Sequence, residues 1–396
     1  MLLSLALAAP LLAAQLPEDP GPWPAGWQDV IFTDANFGQG TVRARIHYPA
    51  LTEGENAVAD PSGGPYPMAA LMHGWLGSAD GLDTIANHFA SHGYLVASID
   101  TEKGLFPNVT NYAWDTRAML QWCEDQSQNP MTWLSGMARG GDWAAIGHSM
   151  GGGTLSLLIG IEPRVRAIVG MQAADTDPPG PGNMAAYTGA GMWIAGTEDW
   201  IVPPSTVRKW YQRAVQSDRR SYFLVQGMGH TGCIDDPPNN EPMPGRDQQL
   251  VHMRLITSFL DAELRGDDTA YEYIYGSEYA ANPPWTVTQS SQRPILWGGK
   301  AATSASAEFG LHGMANAYGV FAWSTQLGSS TTPFGVSDLD LSFGGNTNAM
   351  PLGSEGWGSA DFAFSPIWSG TTVYFQAAAY LGSDGALTQS IALQIP

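Results

Sequence analysis

The chain has 396 residues, 44% of them hydrophobic, and carries 37 acidic against 17 basic residues, for a formal net charge of −20. This length allows more than one domain and a large buried core. The acidity excludes nucleic-acid binding, which requires a basic surface, and it disfavours tight binding to anionic lipid.

The amino-terminal residues 1–14 are apolar, end in small residues and precede a polar, proline-rich stretch. The run is too short to span a bilayer, and it predicts a secretory signal peptide on a secreted or extracytoplasmic bacterial protein. A basic residue, which is usual at the start of such peptides, does not occur before Arg43.

Residues 147–151 read Gly-His-Ser-Met-Gly and lie between two patterned segments. The apolar run 143–146 suits a buried strand, and the apolar residues of 155–161 recur at helical spacing. A bare G-x-S-x-G motif arises by chance in a chain with 47 glycines, so the strand-to-helix context carries the inference. It predicts a nucleophile elbow that presents Ser149 as the attacking group.

A carboxylate is expected after a later strand, because catalytic residues that accompany such an elbow follow along the chain in the order Ser, then Asp or Glu, then His. The apolar strand 191–196 is followed by a loop that holds both Glu198 and Asp199. Asp199 is the favoured acid, because the apolar residues 201–203 after it would turn inward and orient it. Glu198 is the alternative.

The general base is predicted from the next strand, 222–225, which runs into the glycine-rich loop 226–232. His230 lies in that loop, where a histidine could reach both serine and acid. His252 falls within the helical periodicity of a later segment, so a place on a helix face is expected for it. His148, beside the serine, is expected to pack beneath the elbow.

The oxyanion hole is predicted in the loop 73–77, which reads His-Gly-Trp-Leu-Gly after the strand 69–72. Such a loop turns backbone N–H groups toward the serine. The expected donors are the N–H groups of Trp75 and Met150. The side chain of His73 is expected to brace the loop.

These strands and helices predict an α/β-hydrolase fold, a mostly parallel sheet flanked by helices. The elbow at 147–155, the acid segment 194–203 and the base loop 227–230 resemble those of bacterial cutinases and PET-type polyester hydrolases. Dienelactone-hydrolase-like enzymes and platelet-activating-factor acetylhydrolases are also similar. The resemblance covers residues 28–265. It implies a serine-ester hydrolase that needs no cofactor and no metal.

One departure concerns substrate contacts. Polyester hydrolases carry a tryptophan in the loop that here reads Gln-Ala-Ala-Asp-Thr-Asp at 172–177. Trp75 and Trp200 are the expected substrate-binding aromatics instead. The partner is expected to be an ester, polymeric or lipid, and the protein a monomer. A lipase, a phospholipid acetylhydrolase and, from another class, a non-catalytic binding protein on a hydrolase skeleton remain alternatives.

The composition changes toward the carboxyl terminus, since no lysine or arginine follows Lys300. Alternating strand-like runs separated by Gly, Ser and Asp turns predict a small all-β, sandwich-like domain. The expected organisation is a catalytic domain at 15–281, a linker at 282–301 and an accessory domain at 302–396. Attachment to substrate or to the cell surface is the expected role of that domain.

Two cysteines, Cys123 and Cys233, allow one disulfide in an oxidising compartment. Such a bridge would brace the loop that carries His230. Cys123, however, belongs to a predicted helix whose run 114–122 directly precedes it, which favours two separate thiols because a bridge requires Cα atoms within roughly 7 Å.

Overall fold

The computed structural model describes residues 16–34, 40–217, 219–236, 241–276, 287–291, 294–300, 306–354 and 356–395. The predicted signal peptide, 1–14, lies outside these ranges. The first ten strands are β1 (Ala25–Thr33), β2 (Thr41–Pro49), β3 (Gly54–Glu55), β4 (Tyr66–Met72), β5 (Leu95–Ile99), β6 (Ala138–His148), β7 (Val165–Met171), β8 (Ala190–Gly196), β9 (Arg220–Val225) and β10 (Val287–Ser291). The helices are α1 (Asp83–Ser91), α2 (Val109–Gln128), α3 (Met150–Ile161), α4 (Pro181–Ala186), α5 (Pro204–Arg213), α6 (Gly245–Arg265) and α7 (Glu272–Tyr275).

These strands form one sheet in the order β10-β9-β8-β7-β6-β4-β5-β2-β1-β3. Six strands run parallel to one another, in the sheet order β9-β8-β7-β6-β4-β5. The strands β2 and β10 join them antiparallel on the two sides. The carboxyl ends of the parallel strands therefore meet at one edge of the sheet, where ligands of such folds bind.

Both faces of the sheet are buried, as parallel strands require. In β4, Met68 and Ala70 pack into one core cluster together with residues of α2, α3 and α5. Ala69 and Leu71, on the other face, pack with residues of α1 and α6. The alternation of β4 side chains thus places the helices in two layers around the sheet.

Side chains and glycine fix the ends of the long helices. The Asn108 side chain accepts hydrogen bonds from the N–H groups of Thr110 and Asn111, at 3.0 and 3.1 Å, and so caps the start of α2. Gly266 has a φ of +70° and ends α6 in the left-handed conformation that glycine adopts at low cost. Within the described residues, no helix is both long and apolar enough to cross a membrane.

The C-terminal strands form separate antiparallel sheets and are here called the C-terminal module. They are β11 (Ile295–Lys300), β12 (Ser306–His312), β13 (Tyr318–Ser324), β14 (Leu327–Thr332), β15 (Gly335–Leu339), β16 (Gly344–Asn346), β17 (Met350–Pro351), β18 (Trp357–Ala363), β19 (Thr372–Leu381), β20 (Asp384–Leu387) and β21 (Ile391–Gln394). Their own core includes Phe309, Phe321 and Phe375. The predicted fold class, an α/β-hydrolase fold followed by an all-β domain, is confirmed.

The segment 282–301, predicted to be a linker, contains two strands. β10 extends the large sheet by pairing with β9, and β11 begins the C-terminal module. Trp297 of β11 packs into the core of the α/β domain, and its indole Nε1 donates to the Glu272 carboxylate. His312 stacks on Tyr275 with ring centroids 4.7 Å apart. The module is therefore packed against the α/β domain; the domain boundaries themselves stay a prediction.

Candidate active site

The turn between β6 and α3 holds Ser149 in a strained backbone conformation, with a φ of +52°. A Cβ on Gly147 would lie 2.4 Å from the carbonyl of Gly151, and one on Gly151 would lie 2.5 Å from the carbonyl oxygen of Met72. Both positions therefore require glycine. This is the geometry of an elbow that lifts a serine from the carboxyl end of a central strand.

The structure brings together the serine, histidine and aspartate that the sequence singled out. His230 Nε2 lies 3.0 Å from Ser149 Oγ, and His230 Nδ1 lies 2.9 Å from Asp199 Oδ2. The three residues are only 8%, 8% and 4% exposed. A histidine held by a carboxylate on one nitrogen can accept the serine proton on the other.

The two neighbouring acids differ clearly in their contacts. Asp199 Oδ1 accepts hydrogen bonds from the N–H groups of Ile201 and Val202, at 3.0 and 2.7 Å, which leaves Oδ2 for the histidine. The Glu198 carboxylate instead accepts from the hydroxyl of Thr197 at 3.3 Å. Backbone N–H groups of this turn orient Asp199, but the expected inward turn of 201–203 holds for Val202 alone, since Ile201 and Pro203 are exposed.

His148 supports the base loop from below the elbow. Its Nε2 lies 2.8 Å from the backbone oxygen of His230, and the two rings are 4.9 Å apart. Burial lowers the pKa of His148 to about 3, so its imidazole is neutral and Nε2–H donates to that carbonyl. The histidine next to the serine thus fixes the backbone of His230, the predicted base.

The loop after β4 crosses directly in front of the serine. A Cβ on Gly74 would lie 3.1 Å from the Cβ of Ser149, so the loop backbone approaches closely. The ring nitrogens of His73 lie 2.8 and 3.0 Å from the backbone oxygens of Gly74 and Thr101. Met150, the second predicted donor, opens α3, where N–H groups have no partner inside the helix.

Large exposed apolar side chains surround this site, and we call them the apolar rim. They follow β4, β5 and β8 at the carboxyl edge of the sheet: Trp75 (57% exposed), Leu76 (53%), Leu105 (65%), Phe106 (95%), Trp200 (87%) and Ile201 (69%). The indole Nε1 of Trp75 donates to the backbone oxygen of Leu105 at 3.2 Å, which joins two of the loops. Ser149 directly follows β6, which lies between β4 and β8 in the sheet.

Sequence reasoning named Trp75 and Trp200 but missed Leu105 and Phe106. The available signal was two consecutive large apolar residues after Gly104, in the loop that follows β5. The loop after β7, which lacks an aromatic residue, starts with the buried Gln172.

His252 lies in α6, as expected, and inside the protein. Its Nδ1 lies 2.7 Å from the backbone oxygen of Gln248 and its Nε2 lies 3.3 Å from the amide nitrogen of Gln172. Cys123 and Cys233 are both free and buried. Burial raises the pKa of each thiol. Among the residues that the structure describes, no group of three or more His, Cys, Asp and Glu side chains could hold a metal ion.

The buried His252 leads to a prediction about acid stability. Burial lowers its pKa to about 4 in the folded protein, against about 6.5 in an unfolded chain. The unfolded state therefore binds the extra proton first, and the free energy of unfolding should fall as the pH drops from 6.5 toward 4. In urea titrations at pH 7 and pH 5, His252→Gln should reduce this fall by about 2 kcal/mol. Parallel pH profiles for the two proteins would contradict the assignment.

Fold and site together define the class of protein. A serine on a strand-to-helix elbow, with an aspartate and a histidine after later strands of a mostly parallel sheet, is characteristic of the α/β-hydrolases. The PET hydrolase-like family (PETase) matches residues 13–260. The chain belongs to this family and is a serine ester hydrolase of the α/β-hydrolase type, as its resemblance to the polyester hydrolases predicted. A comparison with curated proteins finds no match.

Proposed function

We propose that this protein is a secreted carboxylesterase of the cutinase or polyesterase type that forms an acyl-enzyme on Ser149. The observation that carries the proposal is the series of two hydrogen bonds, 3.0 and 2.9 Å, from Ser149 through His230 to Asp199. Secretion rests on the apolar segment 1–14.

In the first half-reaction, Ser149 Oγ attacks the ester carbonyl while His230 Nε2 takes the hydroxyl proton. The N–H groups of Trp75 and Met150 hold the developing oxyanion, each contributing about 3 kcal/mol in a water-poor site. Asp199 stabilises the imidazolium and keeps its Nδ1–H in place. His230 then gives the proton to the departing alcohol, and the acyl group stays on Ser149.

In the second half-reaction, water takes the place of the alcohol. His230 Nε2 removes a proton from the water as its oxygen attacks the acyl carbonyl. The same two N–H groups hold the second oxyanion, and the proton returns to Ser149 as the carboxylic acid leaves.

The apolar rim supports a hydrophobic ester as the substrate. Soluble proteins rarely gather several large exposed apolar side chains in one place unless that surface binds something. Here the rim lies on both sides of the turn that carries Ser149, so an ester chain rests on Trp75 and Phe106 on one side and on Trp200 on the other. Aryl esters of increasing acyl length and an insoluble polyester film would test this. Highest activity on short to medium chains with release from the film supports the proposal; a steep rise with long chains at oil interfaces indicates a lipase.

A matched pair of variants tests the rim. Phe106→Ser should lower the rate of release from polyester film roughly tenfold, because one aromatic contact of about 1.4 kcal/mol is lost. Its kcat/KM on p-nitrophenyl acetate should change little. Met131→Ser is the control, since Met131 is 89% exposed and lies after the C-terminal end of α2, outside the apolar rim. Equal losses on the film for both variants would contradict a role for the rim.

The C-terminal module leads to a separate prediction, since Ser149, Asp199 and His230 all lie upstream of it. A protein that ends at Lys300 keeps β10 and β11 and should hydrolyse soluble esters at an unchanged kcat/KM. Its melting temperature should fall, because the stacking of His312 on Tyr275 is lost. We propose attachment to a substrate or surface as the module's role. Loss of soluble-ester activity in a well-folded truncation would instead show that the module shapes the active site.

A further inference from the structure

A second concave site lies between the α/β domain and the C-terminal module. Thr188 and Arg219, just before β8 and β9, form one wall, and Phe334, Asp338 and Gln376 of the module lie on the other. The cleft has a volume of about 540 Å³, within the range of small-molecule sites. The serine site lies at the carboxyl ends of the same strands, so the cleft opens at the opposite end of the sheet.

Three aromatic rings form a row that ends in this cleft. Tyr318 on β13 and Tyr380 on β19 have ring centroids 5.9 Å apart and an interplanar angle of 28°. Phe334 continues the row, 5.0 Å from Tyr380 at 21°. A Cβ on Gly385 would lie 2.7 Å from both the Phe334 ring and the Cβ of Tyr380, so β20 leaves room for the Phe334 ring. The stack therefore holds Phe334, the ring that lines the cleft, in a fixed place.

The polar wall of the cleft is held rigidly. Gln376, only 3% exposed, accepts hydrogen bonds from the hydroxyl of Ser337 at 2.7 Å and from the N–H of Asp338 at 3.1 Å. Its amide nitrogen donates to the backbone oxygen of Thr388 at 2.9 Å and to Asp338 Oδ2 at 3.3 Å. The exposed carboxylate of Asp338 is thus fixed as an acceptor in the cleft. Arg219, which also lines the cleft, pairs through Nη1 with the buried Glu263 carboxylate and keeps its guanidinium half-exposed.

This combination of groups selects the chemistry of a ligand. A carboxylate accepts hydrogen bonds and a guanidinium donates them, so hydroxyl groups, which do both, fit between Asp338 and Arg219. Phe334, at the end of the stack and in the lining of the cleft, offers an aromatic surface that suits the apolar C–H face of a sugar ring. A polyester chain offers acceptors alone, so it would leave the Asp338 carboxylate desolvated without a donor. The absence of lysine and arginine after Lys300 disfavours a polyanion.

We propose that the cleft between Arg219 and Asp338, together with the row of Phe334, Tyr380 and Tyr318, binds a neutral polysaccharide chain. The C-terminal module then holds the enzyme on a glycan surface while the serine site, at the other end of the sheet, acts on esters.

Retention of the full-length protein on insoluble material tests this. Microcrystalline cellulose, chitin and insoluble xylan serve as probes, with polyester film as the comparison. At least one polysaccharide should retain the protein. Asp338→Asn should weaken that retention about tenfold, because one hydrogen bond to a charged acceptor is lost. Asp361→Asn is the matched control, because Asp361 is an exposed carboxylate on β18 outside the cleft. Both variants should keep the soluble-ester activity, so failure of the glycan site and failure of the esterase proposal are distinguishable.

A second pair keeps the test valid if Asp338→Asn does not fold. Phe334→Leu should weaken retention, whereas Phe343→Leu, at a half-exposed phenylalanine that does not line the cleft, should not. The proposal is overturned if no polysaccharide retains the protein, if retention occurs on polyester film alone, or if cleft and control variants bind equally.

Discussion

Ser149→Ala should lower kcat/KM on p-nitrophenyl butyrate by about 10⁵-fold or more, because loss of a nucleophile leaves only oxyanion and binding effects. The melting temperature should change little, since the methyl group of alanine fits where the serine Cβ lies. Steady-state kinetics and a thermal melt on the same preparation measure both quantities.

Ser156→Ala is the matched control for this variant. Ser156 lies in the same helix, α3, is also buried, and uses its hydroxyl on the backbone oxygen of Gly153 at 2.8 Å. Its removal should leave kcat/KM within about threefold of the parent, because a neutral hydrogen bond of this kind contributes about 1 kcal/mol to stability and none to the reaction. Retention of activity in Ser149→Ala, or equal losses in both variants, would refute the role of Ser149.

Asp199→Asn should lower kcat/KM by about 10⁴-fold, because His230 would then adopt the tautomer that cannot accept the serine proton. The backbone N–H groups of Ile201 and Val202 both donate to Oδ1, so the amide oxygen of an asparagine must take that place. Its NH₂ group then faces His230 Nδ1 and forces that nitrogen to accept. The proton moves to Nε2, which can no longer take the proton of Ser149.

Glu198→Gln provides the control for the acid, because Glu198 is the adjacent residue and its carboxylate contacts Thr197. The substitution removes the same charge while leaving the histidine contact untouched. We expect less than about a threefold change in kcat/KM, as is usual for a screened loop charge. A loss as large as that of Asp199→Asn would show that the acid is assigned wrongly.

The parts of this molecule that the sequence predicts are those that local pattern determines. Apolar runs such as 143–146 and 191–196 fall inside β6 and β8, because buried parallel strands are apolar along their whole length. Glycine-rich loops after them mark the carboxyl edge of the sheet, where Ser149 and His230 meet. Helical periodicity also separated His252, inside α6, from the base.

The parts that the sequence did not predict depend on contacts between distant segments. Leu105 and Phe106 are residue types that usually lie in the core. Only the fold shows that they are exposed beside Trp75. β10 pairs with β9 across roughly 60 residues of chain, so a segment that looked like a linker extends the main sheet. The cleft between Arg219 and Asp338 likewise joins two domains and has no local signature.

Reaction of the folded protein with a fluorophosphonate probe tests the central claim most directly. The reagent phosphonylates a serine that an adjacent histidine activates, and peptide mass spectrometry locates the adduct. We expect one adduct, on Ser149, that forms in the parent, is lost when the protein is unfolded before labelling, and forms far more slowly in His230→Ala. A folded protein that stays unlabelled, or one labelled on another serine with Ser149 unmodified, would contradict the account.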